Sequence, residues 1–424
     1  MRFHFCTLLL FVSCLVSAQS IDPTYLLKPD RVFDGTTLHN NWGVVTQNGK
    51  IMAVGPLSSL TLPTETQPIN LDGLTLMPGM IEGHSHVLLH PYNETGWNDQ
   101  VLVESSAERV ARATVHLKKS LDAGFTTLRD LGSEGSGYDD VGLKTAVNKG
   151  IIPGPRMVVA GKAIVTTGSY GPKGFAPHVS VPLGAESADG HDDLIRVVRD
   201  QIGHGADVIK VYADYRWGPN GEAMPTFTQK ELELIVEIAA SSGRKVVAHA
   251  ATEEGMRRAT LAGVQTIEHG DGGTAEVWQL MAQKGVALCP TLAAPDAILQ
   301  YRGWNKDSDP EPARISQKKA SFKAALKAGV PIVAGGDVGV FPHGDNVREL
   351  EMMVSYGMPA LQVWQNVTKT NAQLLGLKDR GEIKNGLLAD LIAVQGQPES
   401  NISDLRQIHF VMKGGKIYLH DPVK

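Results

Sequence analysis

The middle of the chain alternates short apolar runs with longer amphipathic stretches. The runs cover residues 74–80, 125–129, 156–159, 208–212, 246–249, 266–269, 286–289 and 331–334. Each has strand length and is apolar, many of them rich in β-branched residues. Between them, residues 107–123, 229–241, 275–284 and 316–328 repeat apolar positions at helical spacing. Strand–helix alternation predicts a parallel sheet, and eight units predict a (β/α)8 TIM barrel over residues 76–378. The alternative is a doubly wound open sheet. No Gly-rich phosphate fingerprint follows the first run, which removes the usual reason to prefer that alternative.

The two ends read differently. In residues 19–75, Asp34-Gly35 marks a turn, and residues 42–45 and 50–54 flank Gln47-Asn48-Gly49, a hairpin signal. In residues 379–424, the runs 390–394 and 409–412 are strand-like, and Lys413-Gly414-Gly415-Lys416 turns the chain before Ile417-Tyr418. The simplest arrangement joins both ends as one composite β-sandwich domain beside the barrel.

Composition narrows the function. The chain has 424 residues, 42% of them hydrophobic, which is ordinary globular composition with ample length for a core. A net charge of −5 without a basic run argues against a nucleic-acid partner. At the N-terminus, Met1-Arg2, an apolar core around Leu8 to Val12, and Val16-Ser17-Ala18 read as a Sec-type signal peptide, residues 1–18, cleaved near Ala18. The product would be secreted or periplasmic, with no membrane contact after cleavage. A short anchoring helix is the other reading, but the apolar stretch falls below the ~20 residues needed to span a bilayer. Cys6 and Cys14 leave with the signal, so Cys289 remains alone and no intramolecular disulfide forms. A homo-oligomer is compatible with this composition.

The chemistry lies at the ends of the runs. His84 and His86 close the first, Lys210 lies in the fourth, His249 ends the fifth, His269 ends the sixth, and Asp337 follows the eighth. In a strand, residues two apart point the same way, so His84 and His86 offer two imidazoles on one face. Singly, each residue has a plain reading: core histidines, a lysine whose burial is costly, an aspartate capping a helix. Together they form a metal-ligand constellation at the catalytic end of a barrel. A desolvated lysine loses its proton easily and can take up carbon dioxide as a carbamate. That anion would bridge two divalent ions, one held by His84, His86 and Asp337 and the other by His249 and His269. Water between such ions ionises near neutral pH, and Asp337 would accept its proton.

The motifs Pro78-Gly79-Met80-Ile81-Glu82-Gly83-His84-Ser85-His86, Ile209-Lys210, Ala248-His249-Ala250, Ile267-Glu268-His269-Gly270 and Gly335-Gly336-Asp337, with the ending Gly381 to Ile392, span the mature chain. In these it resembles the amidohydrolase superfamily, in the branch of prolidase-like, imidazolonepropionase-like and ochratoxin-hydrolysing proteins. The resemblance implies a barrel with a split β-sandwich and a carboxylated-lysine binuclear site, usually zinc. One segment departs. The branch often carries a His after Thr-Gly-Gly beyond the third strand, whereas this chain has Thr166-Thr167-Gly168-Ser169-Tyr170-Gly171. Tyr170 is therefore the substrate-binding candidate at that place. After the lysine, Tyr212 is a candidate donor to a developing oxyanion, and Arg216 a candidate fork for a carboxylate. His343, on the loop after the last run, is a further candidate. The reading is an exported metal-dependent hydrolase of the amide in an N-acyl amino acid or dipeptide. The alternatives are a cyclic amidase of imidazolonepropionase type, an odd activity for an exported protein, and a non-enzymatic binding barrel, against which the complete ligand set speaks.

Overall fold

The computed structural model describes residues 23–176 and 178–423. The expected signal peptide lies outside them. Among the described residues no helix is long and apolar enough to cross a membrane.

Both ends of the chain join in one eight-stranded mixed sheet. Its order is Lys416–His420, Ile408–Lys413, Leu391–Gln395, Gln67–Pro78, Tyr25–Phe33, Trp42–Gln47 and Lys50–Pro56, with Leu38–Asn40 paired to Tyr25–Phe33. The Gln47-Asn48-Gly49 signal forms its hairpin: Asn48 and Gly49 adopt φ of 51° and 75°, the left-handed pair of a two-residue primed turn. Gln67–Pro78 runs parallel to Tyr25–Phe33 and antiparallel to Leu391–Gln395, so the N-terminal and C-terminal segments meet on it. Leu27, Val44, Ile69, Leu76, Leu391 and Phe410 pack as its own core.

This corrects the first strand assignment. The apolar run from Leu74 continues the terminal sheet to Pro78 and pairs with Leu391–Gln395. The first strand of the central region is Met80–Ser85, so His84 lies on that strand and not beyond it. A run apolar on both faces reports burial without naming the partner that buries it.

The central region is mixed α/β with two parallel sheets. Met80–Ser85, Phe125–Asp130 and Arg156–Val159 form one. The other has the order Glu186–Ser187, Ile164–Val165, Val208–Tyr212, Lys245–Ala250, Thr266–His269 and Ala287–Cys289. The last run, residues 331–334, forms only a bridge, Ile332 to Leu288, yet it links the sheets. Val333 N donates to Leu288 O at 2.8 Å, and Gly83 N donates to Ala334 O at 2.9 Å. At the other edge Asp207 N donates to Val159 O at 2.8 Å. Helices Ser106–Asp122, Gln229–Ala240, Glu253–Ala262 and Ala275–Lys284 alternate with the strands. Each starts on a Ser or Thr whose hydroxyl accepts a first-turn N–H.

Asp390 joins the terminal sheet to the central region. It is almost fully buried and takes a two-point bond from Arg156, 2.7 and 3.1 Å, plus the Gly414 N–H. Asp390→Ala strands the guanidinium and the amide. With Arg156 about one-quarter exposed, the loss should be about 2 kcal/mol, below the full cost of breaking a buried pair. Chemical denaturation measures it, and an unchanged midpoint would show that the two regions hold together without this pair.

Candidate metal centre

The strands deliver their polar residues to one end. His84 lies in Met80–Ser85 and His86 directly follows it, Lys210 lies in Val208–Tyr212, His249 in Lys245–Ala250, and His269 ends Thr266–His269. Asp337 follows the Ile332 bridge and is fastened by its own N–H, which donates to His84 O at 2.8 Å. The rings of His84 and His86 stand 5.3 Å apart, His84 and His269 5.4 Å, and His249 and His269 4.5 Å. Ligand atoms of His84, His269 and Asp337 lie within 4.8 Å of one another.

The close approach needs glycine at two positions. A Cβ on Gly335 would meet His84 N at 2.6 Å, and one on Gly83 would meet Ala334 O at 2.7 Å. Glu82 ties the same strands, accepting from the N–H groups of His84 and Gly336 and from Asn346. Burial pushes its carboxyl up to about 7 despite those donors. Asp337 and His269 hold φ of 65° and 77°, a region that non-glycine residues seldom occupy.

Outer groups orient the imidazoles. His84 Nδ1 donates to Glu268 Oε2 at 2.8 Å, and His86 Nδ1 donates to Gly132 O at 3.0 Å. His269 Nδ1 pairs with Thr291 Oγ1 at 2.8 Å. The Nε2 atoms are thereby left for the site, the usual arrangement around metal-ligating histidines. Glu268 also accepts from Arg129 Nη2 at 3.0 Å and from the Thr266 hydroxyl. Cys289 lies near His84 and Glu268, but on the side where those two already bond each other.

The electrostatics follow from burial. Lys210 is fully buried, and desolvation lowers its pKa against the pull of Glu268 and Asp337. Burial and the Lys210 charge depress His84 to about 4 and His249 to about 3. Burial opposes the charged forms of both His86 and Asp337, yet each stabilises the other. His86 rises to about 9, and Asp337 falls to about 2 under the influence of His84, His86 and Lys210. Asp337 Oδ1 is buried without a hydrogen bond among the described residues, 3.3 Å from His86 Nε2 and 3.6 Å from His84 Nε2. A buried carboxylate oxygen facing the Nε2 atoms of two imidazoles is the donor set of a borderline divalent cation, which would take the place of the His86 proton.

Above these groups opens a cavity of about 740 Å³ lined by His84, His86, His249, His269 and Asp337, and by Tyr170, Tyr212 and Arg216. Tyr212 stacks on His249, centroids 4.5 Å apart. Tyr170 donates its hydroxyl to Glu134 Oε2 at 2.9 Å. Arg216 is exposed on the hairpin of Asp214–Arg216 and Ala223–Pro225, its guanidinium over the Tyr215 ring. Asp214 does not pair with Arg216. Its buried carboxylate accepts from Ala251 N, Thr252 N and Thr252 Oγ1. His343 is separate: it stacks on His116, bonds Leu89 O, and lines a smaller cavity of about 230 Å³ with Arg112 and Lys119. From the sequence, Glu268, Glu134 and Trp97 had no role, and Asp214 stood only as a rival partner for Arg216. Glu268 was the legible one, an acid inside an apolar run beside His269.

The model of the Amidohydrolase family matches residues 75–418. The chain belongs to the amidohydrolase family, hydrolases that act on amide bonds and typically depend on metal. The ochratoxinase of Aspergillus niger is 30% identical over 382 residues, 81% of this chain and 75% of that protein. Its crystal structure superposes with a TM-score of 0.80 at 28% identity, covering 94% and 96% of the two chains. A Xaa-Pro dipeptidase crystallised with methionine in its active site reaches a TM-score of 0.83 at 31% identity, covering 93% of this chain and 100% of that one. A prolidase complexed with N-methylphosphonate-L-proline reaches 0.80 at 26% identity, covering 94% and 100%.

Gly335→Ala should separate the His84 strand from Asp337, because the atoms its Cβ would meet include backbone. Affinity for zinc should fall by about ten- to a hundredfold, as when supports of metal ligands are lost. Titration against a competing chelator measures this. An affinity within about twofold of wild type would mean that the strands part without moving the ligands.

Proposed function

We propose that the protein is an exported hydrolase of dipeptides or N-acyl amino acids working with two divalent ions, zinc by the donor set. The carrying observation is the convergence of four imidazoles and an orphaned aspartate oxygen at the floor of a cavity that Arg216 also lines, on strands that also carry the buried Lys210. The linked parallel sheets support reading the central region, from Met80 on, as a (β/α)8 barrel. The terminal sheet, which takes in Gln67–Pro78, supports a composite β-sandwich built from both ends of the chain. The pattern of residues 1–18 supports export.

His84, His86 and Asp337 would hold one ion, and His249 and His269 the other. Lys210, whose ammonium form burial disfavours, would carry a carbamate as a further ligand. When bound, the ions polarise the scissile carbonyl and make water more acidic. Asp337 takes the proton of the attacking water and returns it to the leaving nitrogen as the carbon–oxygen bond forms and the carbon–nitrogen bond breaks. Tyr212 donates to the carbonyl oxygen as it gains charge. Arg216 grips the carboxylate of the leaving amino acid. The ochratoxinase and dipeptidase likenesses support the substrate class.

Zinc-loaded protein is tested against N-acyl amino acids and dipeptides, beside Lys210→Ala. Wild type should release the amino acid. The variant should hold fewer ions and lose activity, part of which short carboxylic acids restore. Full activity in Lys210→Ala, or in exhaustively metal-free wild type, would refute the mechanism.

Arg216→Ala should lower kcat/KM on a free-acid substrate by about ten- to a hundredfold, the worth of one or two charge-assisted hydrogen bonds. On the matching carboxamide the loss should be far smaller. Equal losses on both would reduce Arg216 to a shaper of its hairpin.

A further inference from the structure

One buried carboxylate in the cavity has no part in the chemistry above. Glu134 follows the Phe125–Asp130 strand at a φ of 49° and is 3% exposed. Its Oε2 accepts from the Tyr170 hydroxyl and from Trp97 Nε1, both at 2.9 Å. Both donors are neutral. Its Oε1 has no hydrogen bond among the described residues. The nearest histidine nitrogen is His86 Nδ1 at 3.8 Å, which donates to Gly132 O. Arg109 is close by, but its guanidinium gives its bonds to the carbonyls of Leu88, Ser133 and Glu134, none to the carboxylate.

A buried carboxylate bonded only by neutral donors favours a cation that comes with the ligand. The surroundings suit one kind. The Tyr170 ring stands 5.4 Å from Trp97, 4.7 Å from Tyr212 and 4.8 Å from Tyr215. Aromatic faces around a carboxylate bind an ammonium by charge and by cation–π attraction. Position completes the argument. His86 presents Nε2 to Asp337 at 3.3 Å and Nδ1 to Glu134 at 3.8 Å, so Glu134 lies across the ring from the reacting centre. In an unblocked dipeptide the α-ammonium is two bonds from the scissile carbonyl carbon.

We propose that Glu134, within the wall of Trp97, Tyr170 and Tyr212, binds the free α-ammonium of the acyl half, which makes unblocked dipeptides the substrate class. This rests on the amide-hydrolase reading above and narrows it: N-acyl amino acids lack the group that Glu134 receives.

The test measures kcat/KM of zinc-loaded wild type and Glu134→Gln on three compounds. Alanyl-phenylalanine carries the α-ammonium, propionyl-phenylalanine lacks only that amine, and ε-aminocaproyl-phenylalanine moves it to the far end of the acyl chain. Glutamine keeps an acceptor oxygen for Tyr170 and Trp97, and a thermal melt checks that the variant is folded. Wild type should prefer alanyl-phenylalanine to propionyl-phenylalanine by at least about tenfold, the worth of one charge-assisted hydrogen bond. In Glu134→Gln that ratio should collapse toward one. A wild-type ratio near one, a ratio that survives in the variant, or a preference for the ε-amino compound would each overturn the assignment to Glu134 while leaving the amide-hydrolase reading intact. Wild type cleaving none of the three would remove that reading and this inference with it.

Discussion

The interior depends on the charge of Glu268. Its carboxylate takes bonds from His84, Arg129 and Thr266, three residues on three different strands. Burial alone would raise its pKa, but Arg129 and His84 hold it well below the ordinary carboxylate range. Without it, Arg129 would be a buried guanidinium bonded only to the Gly83 carbonyl and a hydroxyl, and a buried charge without a counter-charge costs several kcal/mol. The same bond fixes the His84 tautomer and sends Nε2 toward Asp337. The packing of Arg129 and the orientation of the His84 ring therefore rest on one acid.

The second constraint is steric. Asp337 reaches the two histidines because Gly83 and Gly335 let the Ile332 segment lie against Met80–Ser85 more closely than any side chain permits. The segment forms little regular ladder of its own. Its hydrogen bonds go to Gly83 and Leu288 and to the side chains of Asn366 and Asn371, and it holds Asp337 at a positive φ. The surrounding bonds, from Glu82, Asn346 and His84, stabilise that conformation. The conformational cost sits at the proposed metal centre, and strained backbone is common at active sites.

The cavity wall is built differently from its floor. Most floor residues belong to strands or directly follow one, whereas Trp97, Glu134, Tyr170, Tyr215 and Arg216 come from loops, short helices and a hairpin. Asp214 fastens that hairpin by accepting from Ala251 N, Thr252 N and the Thr252 hydroxyl, just ahead of the helix that starts at Glu253 and close to His249. The position of Arg216 is thus coupled to the His249 strand. A rigid floor with loop-borne walls lets one chemistry serve different substrates.

Much of this was legible in the sequence where the physics is local. Periodicity located most of the strands and helices, because it follows from backbone geometry and one buried face. Asn48-Gly49 gave its hairpin because few residues tolerate positive φ. Histidines and a lysine closing apolar runs marked the floor, since strand ends gather on one side of a parallel sheet. Partners were decided only in three dimensions. The Leu74 run reads as buried, but its pairing with Leu391–Gln395 spans more than 300 residues and leaves no local trace. Residues 331–334 read as a strand, but the glycines that follow and the neighbour they touch reduce it to a bridge. His343 looked like a neighbour of Asp337, and a turn carried it to the other side of the wall. Glu134 had no signal at all. Its meaning comes from Tyr170, Trp97 and His86, which long loops bring together, and a carboxylate's role depends on the charges and rings around it.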